Sequence, residues 1–365
     1  MRVLVCSWPG YGHLLPMVPL IRAAQRRGAE VVVSTGADLG PVAERLGVRV
    51  HQSGLTLAES YARLPPGTPA PLFAAEHFFG AGAVDRGRDV LALFDQWRPD
   101  LVVHDTLEAG SAAAAEVHGI PHVTHGYGPT VPGTPEFARV LGAAVAAGGL
   151  PDPMPALLAA PYLDPCPPTL RGPEPMPWTD LRPIRATAGE EGPVPELPAS
   201  DLVYVTLGTV TNRNVEVFRA VLDGLARFPV TVLVTTGPDV DPAMLGPLPP
   251  NAVAARFVPQ AAVLPRCSLV VSHAGAGTML GALCHGLPQL CLPQGTDQPA
   301  NTAALLPTGA GLALESPTAD SVAEAVGRLR DEPGFRAAAE RLQAEILAAP
   351  EADAVLADLV GAYSR

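Results

Sequence analysis

Apolar residues in the first 125 positions arrive in short blocks that alternate between two spacings. Short stretches rich in aliphatic and β-branched residues at Arg2–Ser7, Val31–Ser34, Val48–His51, Asp100–His104 and His122–His125 predict strands of a sheet with helices on both faces. Between them, Leu14–Arg27, Leu39–Leu46, Arg86–Gln96 and Gly110–His118 predict helices. A second alternating series begins at Leu202. Its strands are Leu202–Leu207, Val230–Thr235, Ala252–Arg256, Leu269–Ser272 and Gln289–Leu292. Helices lie between these strands, and Ala319–Asp331, Gly334–Leu347 and Glu351–Tyr363 are predicted to follow as helices. The middle, from 128 to 198, breaks the rhythm with proline clusters, interrupted by a predicted helix over Glu136–Ala147.

Short strands alternating with helices imply an α/β architecture of two Rossmann-like halves, each a parallel sheet, facing one another across a cleft. At 365 residues the chain is long enough for two separate cores. The expected division is 1–186 and 201–350, joined by a linker at 187–200 that contains Gly189-Glu190-Glu191-Gly192-Pro193.

Composition narrows the function. Hydrophobic residues make up 48% and charged residues 16%, so the chain should fold rather than stay disordered. A formal net charge of −12 argues against nucleic acid or an anionic membrane as main partner. Any anionic ligand must then be held by local donors. Five cysteines without a CxxC pair suggest small core residues in a reducing compartment. The apolar stretches are broken by charge, Gly or Pro, so no membrane span is expected and the expected location is cytoplasmic.

The most informative stretch runs from Phe257 to Asn301. An apolar strand ends at Ser272 and opens through His273 and Gly275-Ala276-Gly277-Thr278 into a helix. Such a turn exposes backbone N–H groups at the positive end of the helix, which holds phosphate. His273 and Thr278 add donors suited to a diphosphate. Gly208-Thr209 follows the strand 203–207 at the same cleft edge, where Thr209 can offer a hydroxyl to phosphate or cap a helix. In the first half, Pro9-Gly10-Tyr11-Gly12-His13 joins the first strand to the first helix, at the end of the sheet where ligands bind. An unperturbed histidine titrates near neutrality, which suits His13 as a general base. Asp105, just past a nearby strand, is the candidate partner that orients it. His13 as a helix-start residue and Asp105 as a helix cap remain the alternative, and His104 is the rival to Asp105 on the opposite face.

These motifs resemble the donor signature of the family 1 glycosyltransferases. The matching residues are Pro259-Gln260, His273-x-Gly275-x-Gly277-Thr278, Gly286-x-Pro288, Pro293, Asp297-Gln298, Asn301 and Gly309-x-Gly311. The resemblance covers nearly the whole chain. It implies the two-domain GT-B fold, with the acceptor bound by the N-terminal half, the nucleotide sugar by the C-terminal half, and the last helix, 351–365, crossing back. It gives His13 and Asp105 the roles of base and orienter, and it places Gly12, Gly208, Thr209, His273, Gly275, Ala276, Gly277 and Thr278 around the donor. It also implies that the backbone at Val258–Gln260 meets the edge of the base, and that Asp297 and Gln298 meet the sugar hydroxyls.

Two departures from the plant members are informative. Where those carry a base-stacking Trp, Val258 stands here, and Phe257 is expected to face away. Where they carry a ribose-binding Glu, eight residues after the histidine, this chain has Gly281. Loss of that acceptor favours a dTDP-sugar over a UDP-sugar, as in bacterial natural-product enzymes. The implied reaction is inverting transfer of a sugar, expected to be a deoxysugar, to a hydroxyl of a hydrophobic small molecule. No DxD-type pair occurs in a suitable loop, so neither a metal nor another cofactor is expected. Tyr11, Phe73, Phe78, Phe79, Tyr127 and Phe137 are the candidate acceptor-lining residues, and the protein is expected to be a monomer or homodimer.

Other readings stay in view. A Rossmann dehydrogenase is disfavoured because Gly10-x-Gly12 and Gly275-x-Gly277 both lack the third glycine. A nucleotide-sugar epimerase, or a non-catalytic helper on the same fold, is the remaining alternative.

Overall fold

The computed structural model describes residues 1–63, 80–129, 135–171, 176–190, 192–198, 201–209 and 212–363. It contains two parallel sheets with helices packed on both faces of each. The first half supplies β1 (Arg2–Cys6), β2 (Glu30–Thr35), β3 (Arg49–Gln52), β4 (Leu101–Asp105), β5 (His122–His125), β6 (Tyr162–Asp164) and β7 (Leu181–Pro183). The second supplies β8 (Leu202–Thr206), β9 (Thr231–Thr235), β10 (Ala252–Ala255), β11 (Cys267–Ser272), β12 (Gln289–Cys291) and β13 (Gly311–Ala313).

Strand order explains where the ligands go. In the first sheet it is β3-β2-β1-β4-β5-β6-β7, and in the second β10-β9-β8-β11-β12-β13. Each order reverses once, between β1 and β4 and between β8 and β11. At such a point the connections leave in opposite directions, which opens a crevice beyond the carboxyl ends of the two strands. His13, Gly208 and His273 follow β1, β8 and β11, and Asp105 ends β4.

Burial accounts for the apolar runs. Val3, Leu4, Val5, Val102 and Val103 in β1 and β4 are at most 1% exposed, as are Val203, Val205, Val270 and Val271 in β8 and β11. Strands with helices on both faces lose the alternation that a half-exposed strand would show. Glycine and polar caps end and start the helices between them. Gly119 closes the helix Ala109–His118 in the left-handed region, and Asn214 opens Val215–Leu225 by accepting from the Val217 N–H.

Three strands were missed in the sequence. β6 and β7 lie in the proline-rich middle, and they extend the first sheet beyond β5. Each is only three residues long, too short for a period to be read. β13, also three residues, starts on a glycine and was missed for the same reason. The final helix, Ala352–Tyr363, buries Val355, Leu356 and Leu359 in the first half's core, against Val18, Leu20 and Ile21 of the helix Val18–Arg26. Each such side chain contributes about 1.5–3 kcal/mol. Arg26 pairs with Asp353 at the edge of that contact.

Candidate active site

His13 and Asp105 meet at the first switch point. The imidazole Nδ1–H donates to Asp105 Oδ1 at 3.2 Å. Asp105 is 1% exposed and also accepts from the Trp8 N–H at 2.5 Å and the Leu107 N–H at 2.8 Å. Burial by itself would push its carboxyl up, but His13 and the two N–H donors outweigh burial and hold it below the ordinary value. The carboxylate is therefore charged and fixed, and it engages the Nδ1 edge of the His13 imidazole. His104 points the other way, into the sheet's far side, with its Nε2 3.2 Å from Nδ1 of His122.

Behind the dyad lies a buried ion pair that the sequence did not announce. The Arg86 guanidinium stacks 3.9 Å from the Trp8 ring centroid, with Nε 3.7 Å from Glu108 Oε1. Both side chains are nearly inaccessible, at 1% and 2%.

The second switch point carries the anion-binding geometry. The helix Ala276–Leu283 begins at Gly275, and no side chain caps it, so its first-turn N–H groups open toward the cleft. His273 lies between two glycines. A Cβ on either Gly208 or Gly275 would stand 2.4 Å from its Nε2, so a side chain at either place would displace the imidazole. Thr278 has its hydroxyl oxygen fixed by the Gln260 amide at 3.0 Å. Thr209 is partly exposed at the end of the loop after β8, and Gly12 lies open beside His13.

The turn is held under strain. Ala274 has φ 63°, a left-handed conformation that costs a residue with a Cβ on the order of 1–2 kcal/mol. Its N–H donates to Ser272 Oγ at 3.1 Å, and its carbonyl accepts from Asn301 Nδ2 at 3.0 Å. The same Asn301 amide donates to Asp297 Oδ2 at 2.7 Å. One buried side chain therefore ties the phosphate turn to the acidic loop. Gln298 is 4% exposed, and its amide oxygen accepts from the Gln294 and Gly295 N–H groups at 2.7 and 3.2 Å.

Family models match both halves: an Erythromycin biosynthesis protein CIII-like N-terminal domain over residues 77–184, and the corresponding C-terminal domain over 219–361. The L-demethylnoviosyl transferase of Streptomyces niveus is 34% identical over 100% of this chain and 99% of its own length. The chain is a natural-product family 1 glycosyltransferase. Among solved structures, glycosyltransferase SnogD from Streptomyces nogalater is 28% identical with a TM-score of 0.81, covering 100% of this chain and 99% of that one. Spinosyn rhamnosyltransferase SpnG complexed with thymidine diphosphate is 26% identical with a TM-score of 0.83, covering 98% and 100%. The fold is therefore GT-B, and the dehydrogenase and epimerase readings fall away.

In this glycosyltransferase the expectation for Phe257 and Val258 is reversed. Val258 is 3% exposed and packs into the core of the second half with Tyr204, Leu233 and Leu264. Phe257 is 47% exposed, and its ring lies 6.3 Å from that of Tyr11 in the first half. Adjacent residues in extended backbone point to opposite sides, and the core took the aliphatic one. Of the two residues, the exposed one is Phe257. Gly281 lies inside the helix, where a Cβ would meet Leu264, Gln260 and Ala188 at 3.3–3.5 Å. Of the acceptor candidates, Tyr127 packs on His13, at 4.8 Å between ring centroids. Phe73, Phe78 and Phe79 lie outside the described residues. Phe137 falls on the helix Pro135–Gly148, its side chain likewise outside them.

Buried His104 and His125, with half-buried His273, make the fold sensitive to acid. Burial lowers His104 to about 3, His125 to about 4 and His273 to about 4, so all three are neutral near pH 7. The unfolded chain takes up these protons below its ordinary value of about 6.5, while the folded chain does not. Stability is then full above about pH 6.5 and is lost as pH falls toward 4, by about 1.4 kcal/mol per unit for each group. Urea unfolding should give a markedly lower stability at pH 5 than at pH 7. A flat profile over that range would contradict the burial.

Among the described residues, no three His, Cys, Asp or Glu side chains come together as a metal site, and no helix is long and apolar enough to cross a membrane.

Proposed function

We propose that this glycosyltransferase moves a deoxysugar from a dTDP-sugar to a hydroxyl of a hydrophobic natural product, with inversion and without a metal. The acceptor half is 1–186 and the donor half 201–350, linked through 187–200, and the segment 351–365 returns to the first. One observation carries the reading. The His13–Asp105 pair and the open helix start at Gly275–Thr278 stand at the two switch points and meet across one cleft, where Gly128 abuts Ala276.

In this mechanism His13 Nε2 takes the proton of the acceptor hydroxyl, and Asp105 stabilises the imidazolium that forms. The acceptor oxygen attacks the anomeric carbon, and the C–O bond to the diphosphate breaks on the opposite face. The negative charge that develops on the diphosphate is met by the N–H groups of the helix start and by the neutral His273 and Thr278. Asp297 reads the sugar hydroxyls, while Gln298 holds the loop that presents it. Phe257 offers the face on which the base stacks.

The thymidine diphosphate bound to the rhamnosyltransferase SpnG supports dTDP as the nucleotide here. So does Gly281, because no carboxylate stands there to accept from a ribose 2′-hydroxyl. Calorimetric titration in excess chelator should show dTDP binding at least as tightly as UDP, and turnover should survive the chelator. UDP binding about tenfold tighter would sink the dTDP assignment, since a charged hydrogen bond to the 2′-hydroxyl is worth about 1.5–3 kcal/mol. Loss of turnover in chelator would sink metal independence.

A further inference from the structure

Tyr127 occupies the place where the two halves of the site touch. Its ring lies 4.8 Å from the His13 ring, tilted by 58°, and it is only 7% exposed. Two glycines bring it there. A Cβ on Gly126 would stand 2.4 Å from the Tyr162 hydroxyl, and one on Gly128 would stand 2.4 Å from the Ala276 Cβ. Neither position admits a side chain. Ala276 opens the phosphate-binding helix, yet it packs in the same apolar cluster as Tyr127, Leu107 and Ala109 of the first half. The phenol is held well above its ordinary value by burial, with the Asp297 carboxylate adding to that effect. One ring therefore touches the base, lies near the sugar-side carboxylate, and sits on the seam between halves.

We propose that Tyr127 is a positioning residue: its ring fixes the plane of the His13 imidazole, and the Gly128–Ala276 contact makes that alignment depend on docking of the donor half. The hydrogen bond to Asp105 fixes one edge of the imidazole. Direction at Nε2 depends in addition on what packs against the ring face, and the packed ring is that of Tyr127. The proposal rests on His13 being the base.

The test needs no acceptor. Diethyl pyrocarbonate labels accessible imidazoles, and mass spectrometry of peptides gives a rate for each histidine. In Tyr127→Leu, His13 should be labelled about 5-fold faster, the scale of a lost aromatic contact. His118 and His285, remote from the cleft, should keep their wild-type rates and so report an intact fold. Tyr127→Phe retains the ring and should leave the His13 rate unchanged. Gly128→Ala should raise it as Tyr127→Leu does, and Ala276→Gly added to Gly128→Ala should restore it by removing the clash.

Wild-type labelling of His13 in both Tyr127→Leu and Gly128→Ala overturns the proposal. So does a parallel rise at all three histidines, which would mean general loosening. These failures leave the base assignment standing. Full turnover in His13→Ala would remove that assignment by itself, whatever the labelling shows.

Discussion

Replacing His13 with alanine should lower turnover by about 10²–10⁴-fold, the usual contribution of a general base. dTDP should still bind with close to wild-type affinity, because its candidate ligands other than Gly12 belong to the other sheet and the substitution leaves Gly12 in place. Asp105 Oδ1 holds the imidazole at 3.2 Å, and the His13 side chain is 15% exposed. Calorimetry with dTDP and a single-turnover assay separate the two effects. Loss of dTDP binding together with turnover would point to a damaged fold, and wild-type turnover would remove His13 from the mechanism.

Asp105→Asn should have an effect of similar size by a different route. The carboxylate receives three donors: Trp8 N–H on Oδ2, and Leu107 N–H and His13 Nδ1–H on Oδ1. An amide has one oxygen. If that oxygen faces His13, the new NH2 opposes the Trp8 N–H and leaves a buried donor unpaired, at a cost of about 1–3 kcal/mol. If it faces Trp8, the NH2 drives His13 to carry its proton on Nε2, and the base nitrogen is lost. In the second arrangement turnover falls by up to about 10⁴-fold, as when an orienting carboxylate is neutralised elsewhere. Turnover and urea stability measured together cover both arrangements. A variant unchanged in each would show that Asp105 does no orienting.

Most of the site was readable because its chemistry is local. A strand that ends in His273-Ala274-Gly275 and opens through glycine into a helix announces an anion site without reference to the rest of the fold. Gly208 and Gly275 were legible as glycines, but their reason was not. Only the folded chain puts His273 between them, with no space for a Cβ. Ala274 shows the opposite limit. Nothing in an alanine signals a left-handed backbone, and the strain is held by Asn301, which arrives from a later helix. Phe257 and Val258 were assigned to the wrong faces because neighbouring apolar residues give no clue as to which side the core will take. Once Leu233 and Leu264 occupy one side, Val258 joins them and Phe257 turns out.

The sequence by itself determined most of the strands and helices, the two parallel sheets and the motifs at their ends. Those follow from apolar spacing and from glycine, which act over a few residues. Tertiary structure decided the strand order. It put β1 beside β4 and β8 beside β11, and so made His13 the neighbour of Asp105 and Gly208 the neighbour of His273. It also recruited β6 and β7 from a proline-rich stretch, and it set Tyr127 and Ala276 in one cluster. Such pairings depend on which buried faces pack best among distant segments, and no local pattern encodes that choice.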